Sequence, residues 1–261
     1  MRRIFLLGLS VLTARAHDTW LQPAKFATAV GATVKLELTS ADGFKGPETA
    51  IKPERIARAT GRLAGATIAL GEPVVGEKTL QFSTALPRAG VAVLGVELKP
   101  RLLDLAADKI EPYFSEIHAG AALRAQWAAV SEPKKWRELY VKNTKTFVRV
   151  GEPPAADRAW AEPLGLRLEI VPERDPTALR VGDDLPVRVL HEGKPFAGFT
   201  ISFVAAGETR EHVTATDAQG RAHAVLDGPG AWLVHGTDLR RVQRDDREWE
   251  SDFTTMVVEA R

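Results

Sequence analysis

The chain has 261 residues, 35 basic against 34 acidic side chains, a formal charge of +1 and no cysteine. Charge this balanced, with Lys and Arg scattered along the chain, argues against a polyanion-binding protein, so no nucleic-acid partner is expected. Without cysteine a disulfide framework, a thiol nucleophile and a lipid-anchored amino terminus are excluded, and burial must stabilise the fold.

Arg2 and Arg3 precede the apolar run from Ile4 to Leu12, and Ala14-Arg15-Ala16 places small residues where a signal peptidase cuts. Residues 1–16 therefore read as an export signal, giving a periplasmic or secreted product that begins at His17. The run is too short to stay in a bilayer, and no later segment reaches eighteen consecutive apolar residues, so no membrane span is expected in the mature chain.

Trp20 and Leu21 read as core anchors of a first strand. Val34, Leu36 and Leu38 then alternate with Lys35, Glu37 and Thr39, the period-two pattern of a strand with one wet face. Short apolar stretches at 66–70, 79–84 and 91–98, separated by Gly and Pro turns, complete an amino-terminal β-sandwich over 17–100. From Ala107 the period changes: Ile110, Tyr113, Phe114 and Ile117 recur at helical spacing, with Pro112 tolerated in the first turn. Continued through Leu123, Trp127, Trp136, Leu139 and Tyr140, with breaks at Gly120 and Pro133, this pattern predicts a helical insertion over 101–150. The run GEPPAAD at 151–157 opens a linker assigned to 151–162. Residues 163–261 read as short strands again, with turns at HEGKPFAG, TDAQGRA and DGPGAW. The expected fold is mainly β: two immunoglobulin-like or prealbumin-like β-sandwich domains with a short helical insertion between them.

No Gly-x-Ser-x-Gly elbow, His-Glu-x-x-His pair or phosphate-cradling loop occurs, so a non-enzymatic role is expected. Cleavage after Ala16 gives His17 a free α-amine beside its imidazole. The two nitrogens close a six-membered chelate ring on a metal ion, a donor pair suited to Ni(II), Co(II) or Cu(II). Asp18 adds a carboxylate. One residue and its neighbour do not make a selective site, and the partner is sought in WLVHGTDLRR (232–241), where a buried strand runs into a loop: His235 and Asp238 are the candidates. The competing bland reading is a solvated terminal histidine. His118 reads as a helix-end cap, and His191, His212 and His223 as turn or strand residues.

The blocks AHDTWLQP, PERIARAT, LAADKIEPYFSEI, EPLGLRLEIVPERDPTALRVGDDLPVRVLHEGKPFAGFTI and DREWESDFTTMVVEA occur in that order and span nearly the whole mature chain. They resemble the NikM-like family of exported bacterial domains associated with nickel or cobalt uptake. The resemblance implies an extracytoplasmic metal-handling domain working with a membrane metal transporter, and His17, Asp18 and Trp20 match the family's near-terminal His-Asp-x-Trp. The sequence departs from that pattern after Trp232: Asp238 stands where relatives look to carry a histidine, and the histidine here is His235. The expected function is a periplasmic nickel- or cobalt-binding protein, with copper as a further cargo and His17, Asp18, His235 and Asp238 as ligands. The alternative is a non-metal exported β-sandwich module that binds a protein or glycan.

Overall fold

A computed structural model describes residues 17–261, so the export signal read at 1–16 lies outside the described residues. In chain order the strands of the first half are β1 (Asp18–Pro23), β2 (Ala27–Thr28), β3 (Thr33–Ala41), β4 (Thr49–Ala50), β5 (Ile56–Leu63), β6 (Ala66–Ala69), β7 (Val74–Val75), β8 (Leu80–Ala85), β9 (Gly90–Leu98), β10 (Arg101–Leu105) and β11 (Trp136–Val150). Helices α1 (Ile110–Glu116) and α2 (Ala121–Ala128) lie between β10 and β11. The second half supplies β12 (Leu168–Pro172), β13 (Asp184–His191), β14 (Lys194–Pro195), β15 (Thr200–Ala205), β16 (His212–Ala215), β17 (Arg221–Val225), β18 (Gly230–Arg244) and β19 (Arg247–Ala260). The fold is mainly β and sandwich-like, with short helices between strands, as the sequence pattern predicts. No described helix is long and apolar enough to cross a membrane.

A ten-stranded sheet runs through the molecule in the order β16-β15-β18-β19-β11-β9-β5-β6, with β10 and β2 also pairing β11. Its seam is the parallel pairing of β11 with β19, from Glu138 beside Trp249 to Thr146 beside Val257. Two smaller sheets cover it, a five-stranded one (β1-β3-β8-β7 with β4) and a four-stranded one (β12-β13-β14 with β17). Val91, Val93 and Phe147 pack with Val187 and Val189 of the four-stranded sheet. Ala92, Leu94 and Val148, the next residues along the same strands, pack with Leu36 and Phe82 of the five-stranded sheet. Burial on both faces explains why Val91 to Leu94 is an unbroken apolar run rather than an alternating one. The stretch 151–162, expected as a linker, is instead tied into the fold, with Trp160 buried in the core beside Val91 and Phe147 and Asp157 accepting from Val91 N, and residues on both sides of it build the same central sheet.

The helical period ends at Ala128, where α2 stops. Trp136, Leu139 and Tyr140, expected on helix, lie on β11, with Leu139 opposite Leu102 of β10 and Glu250 of β19. The misreading has a physical cause in Glu138, a buried carboxyl at an inward strand position that hides the alternation. It accepts hydrogen bonds from Tyr113 Oη (2.8 Å), Trp136 Nε1 (2.8 Å) and Ser251 Oγ. Burial raises its pKa above the ordinary carboxylate value, against the pull of these bonds. Above it, Trp136 stacks on Trp249 with centroids 4.2 Å apart, roofed by Ile110, Tyr113 and Phe114. The turn in HEGK is a two-residue hairpin: Glu192 and Gly193 both have positive φ, 50° and 77°, and His191 pairs with Lys194.

Candidate metal centre

Strand β1 pairs with β3 along one edge, Asp18 opposite Ala41 and Pro23 opposite Leu36. Its other edge lies against the ten-stranded sheet, where unpaired backbone groups would be orphaned. Side chains take the place of a neighbouring strand. Leu21 N donates to Thr144 Oγ1 (2.9 Å), Thr255 Oγ1 donates to the Thr19 carbonyl (2.7 Å), and Lys142 Nζ donates to the His17 carbonyl. Trp20, buried as expected, packs edge-on against Phe44 at 5.2 Å. These contacts carry Asp18 to β18.

There Asp18 Oδ2 lies 3.2 Å from His235 Nδ1, so the structure brings together residues 217 positions apart that the sequence nominated separately. Two further residues extend the contact. Glu211 Oε2 lies 3.5 Å from His235 Nε2 and 2.7 Å from His118 Nε2, giving the alternating row Asp18, His235, Glu211, His118. Asp18, Glu116, His118, Ser202, His235 and Phe253 line a small cleft at this point. His118 caps no helix carbonyl with its ring. Its backbone takes a left-handed φ of 52° at the end of α1, uncommon for a residue with a side chain, and its imidazole turns to Glu211 instead.

Gly236 lets β18 pass close enough to hold His235 in place. A Cβ there would sit 2.6 Å from both the Phe199 ring and the Thr200 carbonyl oxygen. Gly236→Ala is expected to lower stability by about 1–3 kcal/mol, the range for overpacking, and a urea-unfolding midpoint equal to the parent's would contradict this packing.

Burial pushes the His235 imidazole towards neutrality, but the carboxylates of Asp18 and Glu211 outweigh it and raise its pKa to about 10. Burial works against the Glu211 carboxylate too, yet the bond from His118 and the neighbouring charge of His235 draw its pKa well below the usual range. Lys142 is half-buried, and the partial loss of water around its ammonium lowers its pKa to about 8 despite the opposing charges of Asp18 and Glu116. His235 has its folded pKa above its unfolded one, so its stabilising contribution is complete below about pH 6.5 and is lost as pH rises towards 10. In chelator-treated protein, stability is expected to fall between pH 7 and 10, and the fall should be smaller in His235→Gln. Equal slopes in urea titrations of the two proteins would contradict the pairing.

His235 Nε2 is buried and makes no hydrogen bond, because 3.5 Å to Glu211 is an electrostatic contact only. Asp18 and Glu211 thus flank the two ring nitrogens of His235, and His118 follows Glu211, so the four groups form a row beginning next to His17 rather than a cluster about one point. Asp238 does not join them. Being three residues on from His235 it faces the other side of the sheet, since side chains alternate along a strand. There Asp238, Asp252 and His191 form a group whose ligand atoms all lie within 4.8 Å. A cation already stands in that group: Arg240 Nη1 bonds Asp238 at 2.9 Å and Asp252 at 2.8 Å, and Arg167 Nε lies 3.2 Å from Asp252. Nothing in the sequence near His118 or Glu211 marked them. Glu211 arrives because β15 pairs with β18, setting Ser202 opposite His235, and Glu211 precedes the strand that follows β15.

No curated protein matches the chain. Among solved structures it is similar to the D0-D1 domain of intimin, at 11% identity and a TM-score of 0.24, over 92% of this chain and 96% of that one. It is also similar to the Escherichia coli adhesin FdeC (12%, TM-score 0.26, 94% and 66%) and to Escherichia coli alpha-2-macroglobulin (11%, TM-score 0.27, 94% and 20%). Scores of this size carry no inference about function. One family model, described as "Domain of unknown function (DUF4198)", matches residues 14–237, and the chain belongs to that family.

Proposed function

We propose that this protein is a periplasmic binding protein for a divalent transition metal, nickel or cobalt first and copper second, that passes its ion to a membrane metal transporter as its NikM-like resemblance implies. The observation that carries the reading is the 3.2 Å approach of Asp18 Oδ2 to Nδ1 of the buried His235, next to His17, with Glu211 facing the other ring nitrogen. The donor set suits the ion: imidazole nitrogen and carboxylate oxygen without sulfur favour Ni(II), Co(II) and Cu(II) over Cu(I). Spacing fits as well. Ligands at about 2.0–2.2 Å from a metal lie about 3 Å from one another, and Asp18 Oδ2 and His235 Nδ1 are 3.2 Å apart.

His17 supplies the amine and imidazole, Asp18 and His235 bind from β1 and β18, and Glu211, held by His118, orients the His235 ring from its other nitrogen. Imidazole must be neutral to ligate, so the ion displaces the His235 proton and affinity falls on acidification. The test is a calorimetric titration with Ni(II) of protein beginning at a free His17 and of protein carrying extra residues before it. Tight binding to the first and much weaker binding to the second is the expected result. Equal affinity, or none in either, would overturn the proposal.

Charge balance favours a second reading, in which protonated His235 is a clip joining β1, β18 and the helical segment. That reading predicts that Ni(II) leaves the melting temperature unchanged, whereas a bound ion raises it with concentration.

A further inference from the structure

The side chains that satisfy the free edge of β1 form a short ladder, and its last rung reaches the first described residue. Thr144 and Thr255 bond the backbone of Leu21 and Thr19. Lys142, two residues before Thr144 on β11, bonds the His17 carbonyl and, at 3.2 Å, Thr19 Oγ1. Its root is fixed by the seam pairing of Lys142 with Phe253. Its ammonium lies 5.7 Å from the Tyr140 ring centroid and 5.1 Å from that of Phe253, and Phe253 also lines the cleft with Asp18 and His235. A long, flexible side chain is here held between two rings and two oxygens, and it grips the backbone at the point from which the His17 amine and imidazole leave β1.

We infer that Lys142 is the positioning residue of the centre: by fixing the His17 carbonyl it sets how the terminal amine and imidazole are presented to Asp18 and His235. Its consequence for metal rests on the function proposed above, while the positioning itself is measurable without metal. Lys142→Met keeps the stem and its ring contacts and removes the donor. Lys142→Arg keeps a charged donor.

Amide exchange followed by NMR on metal-free protein should be at least about tenfold faster at Asp18 and Thr19 in Lys142→Met, unchanged at 256–258, and restored towards the parent in Lys142→Arg. Unaltered exchange at Asp18 and Thr19 would overturn the inference. Ni(II) affinity should fall about tenfold in Lys142→Met, as for other residues that orient ligands, and should not fall further when Lys142→Met is added to His17→Ala in protein carrying extra residues before position 17, which offers neither amine nor imidazole. The same loss in both backgrounds would mark a merely structural role and overturn the inference. If the parent binds no Ni(II), the metal reading fails and the exchange result alone decides the role of Lys142.

Discussion

Replacing Glu169 by Ala is expected to destabilise the protein by about 3–5 kcal/mol, the range for stripping one partner from a buried ion pair. Glu169 of β12 reaches Lys145 of β11 at 2.8 Å, and both side chains are 1% exposed. The same carboxylate accepts backbone N–H bonds from Leu164 (2.7 Å), Gly165 (3.0 Å) and Leu166 (3.0 Å). It therefore fastens both the four-stranded sheet and the incoming connection to the central strand. Burial opposes its ionisation, but Lys145 and the backbone donors hold its pKa below the ordinary value, while burial lowers that of Lys145. Removing Glu169 strands three N–H groups and an ammonium together. Lys145→Met leaves the carboxylate with its three donors and is expected to destabilise less. Urea denaturation of the two variants checks the order, and Lys145→Met as the weaker protein would contradict it.

This pair also marks the limit of what the sequence displayed. Asn143-Thr144-Lys145-Thr146 reads as a wet segment, yet all four residues are buried, because β11 is packed on both faces and its polar groups serve β1, β12 and β19. Alternation at Val34, Leu36 and Leu38 was legible since only one face of β3 is buried along that run. Helical spacing at Ile110, Tyr113 and Phe114 was legible for the same reason, one side of α1 facing the core. Parallel pairing of β11 with β19 was not, because no local pattern records which distant strand lies alongside.

The centre divides in the same way. Asp18 and His235 stood out through local context, one next to an expected new terminus and one at a strand exit. Glu211 and His118 had no such context. Choosing between His235 and Asp238 required strand parity: odd positions of β18 such as Leu233 face Trp20 and Phe44, and even ones such as Val234 face the opposite core.

Parity leads to the second large effect. His235→Ala should weaken Ni(II) binding by at least about a hundredfold, the upper end of losses seen even for residues that only support ligands. Asp238→Ala should leave affinity unchanged, since Asp238 is held by Arg240 on the other face. The reverse pattern would move the site to the His191, Asp238 and Asp252 group.

Anomalous diffraction from crystals of Ni(II)-loaded protein beginning at His17 locates the ion. A single strong peak between Asp18 and His235, within bonding distance of the His17 amine, is expected. A peak beside Asp252, or no peak at stoichiometric loading, would contradict the proposed site.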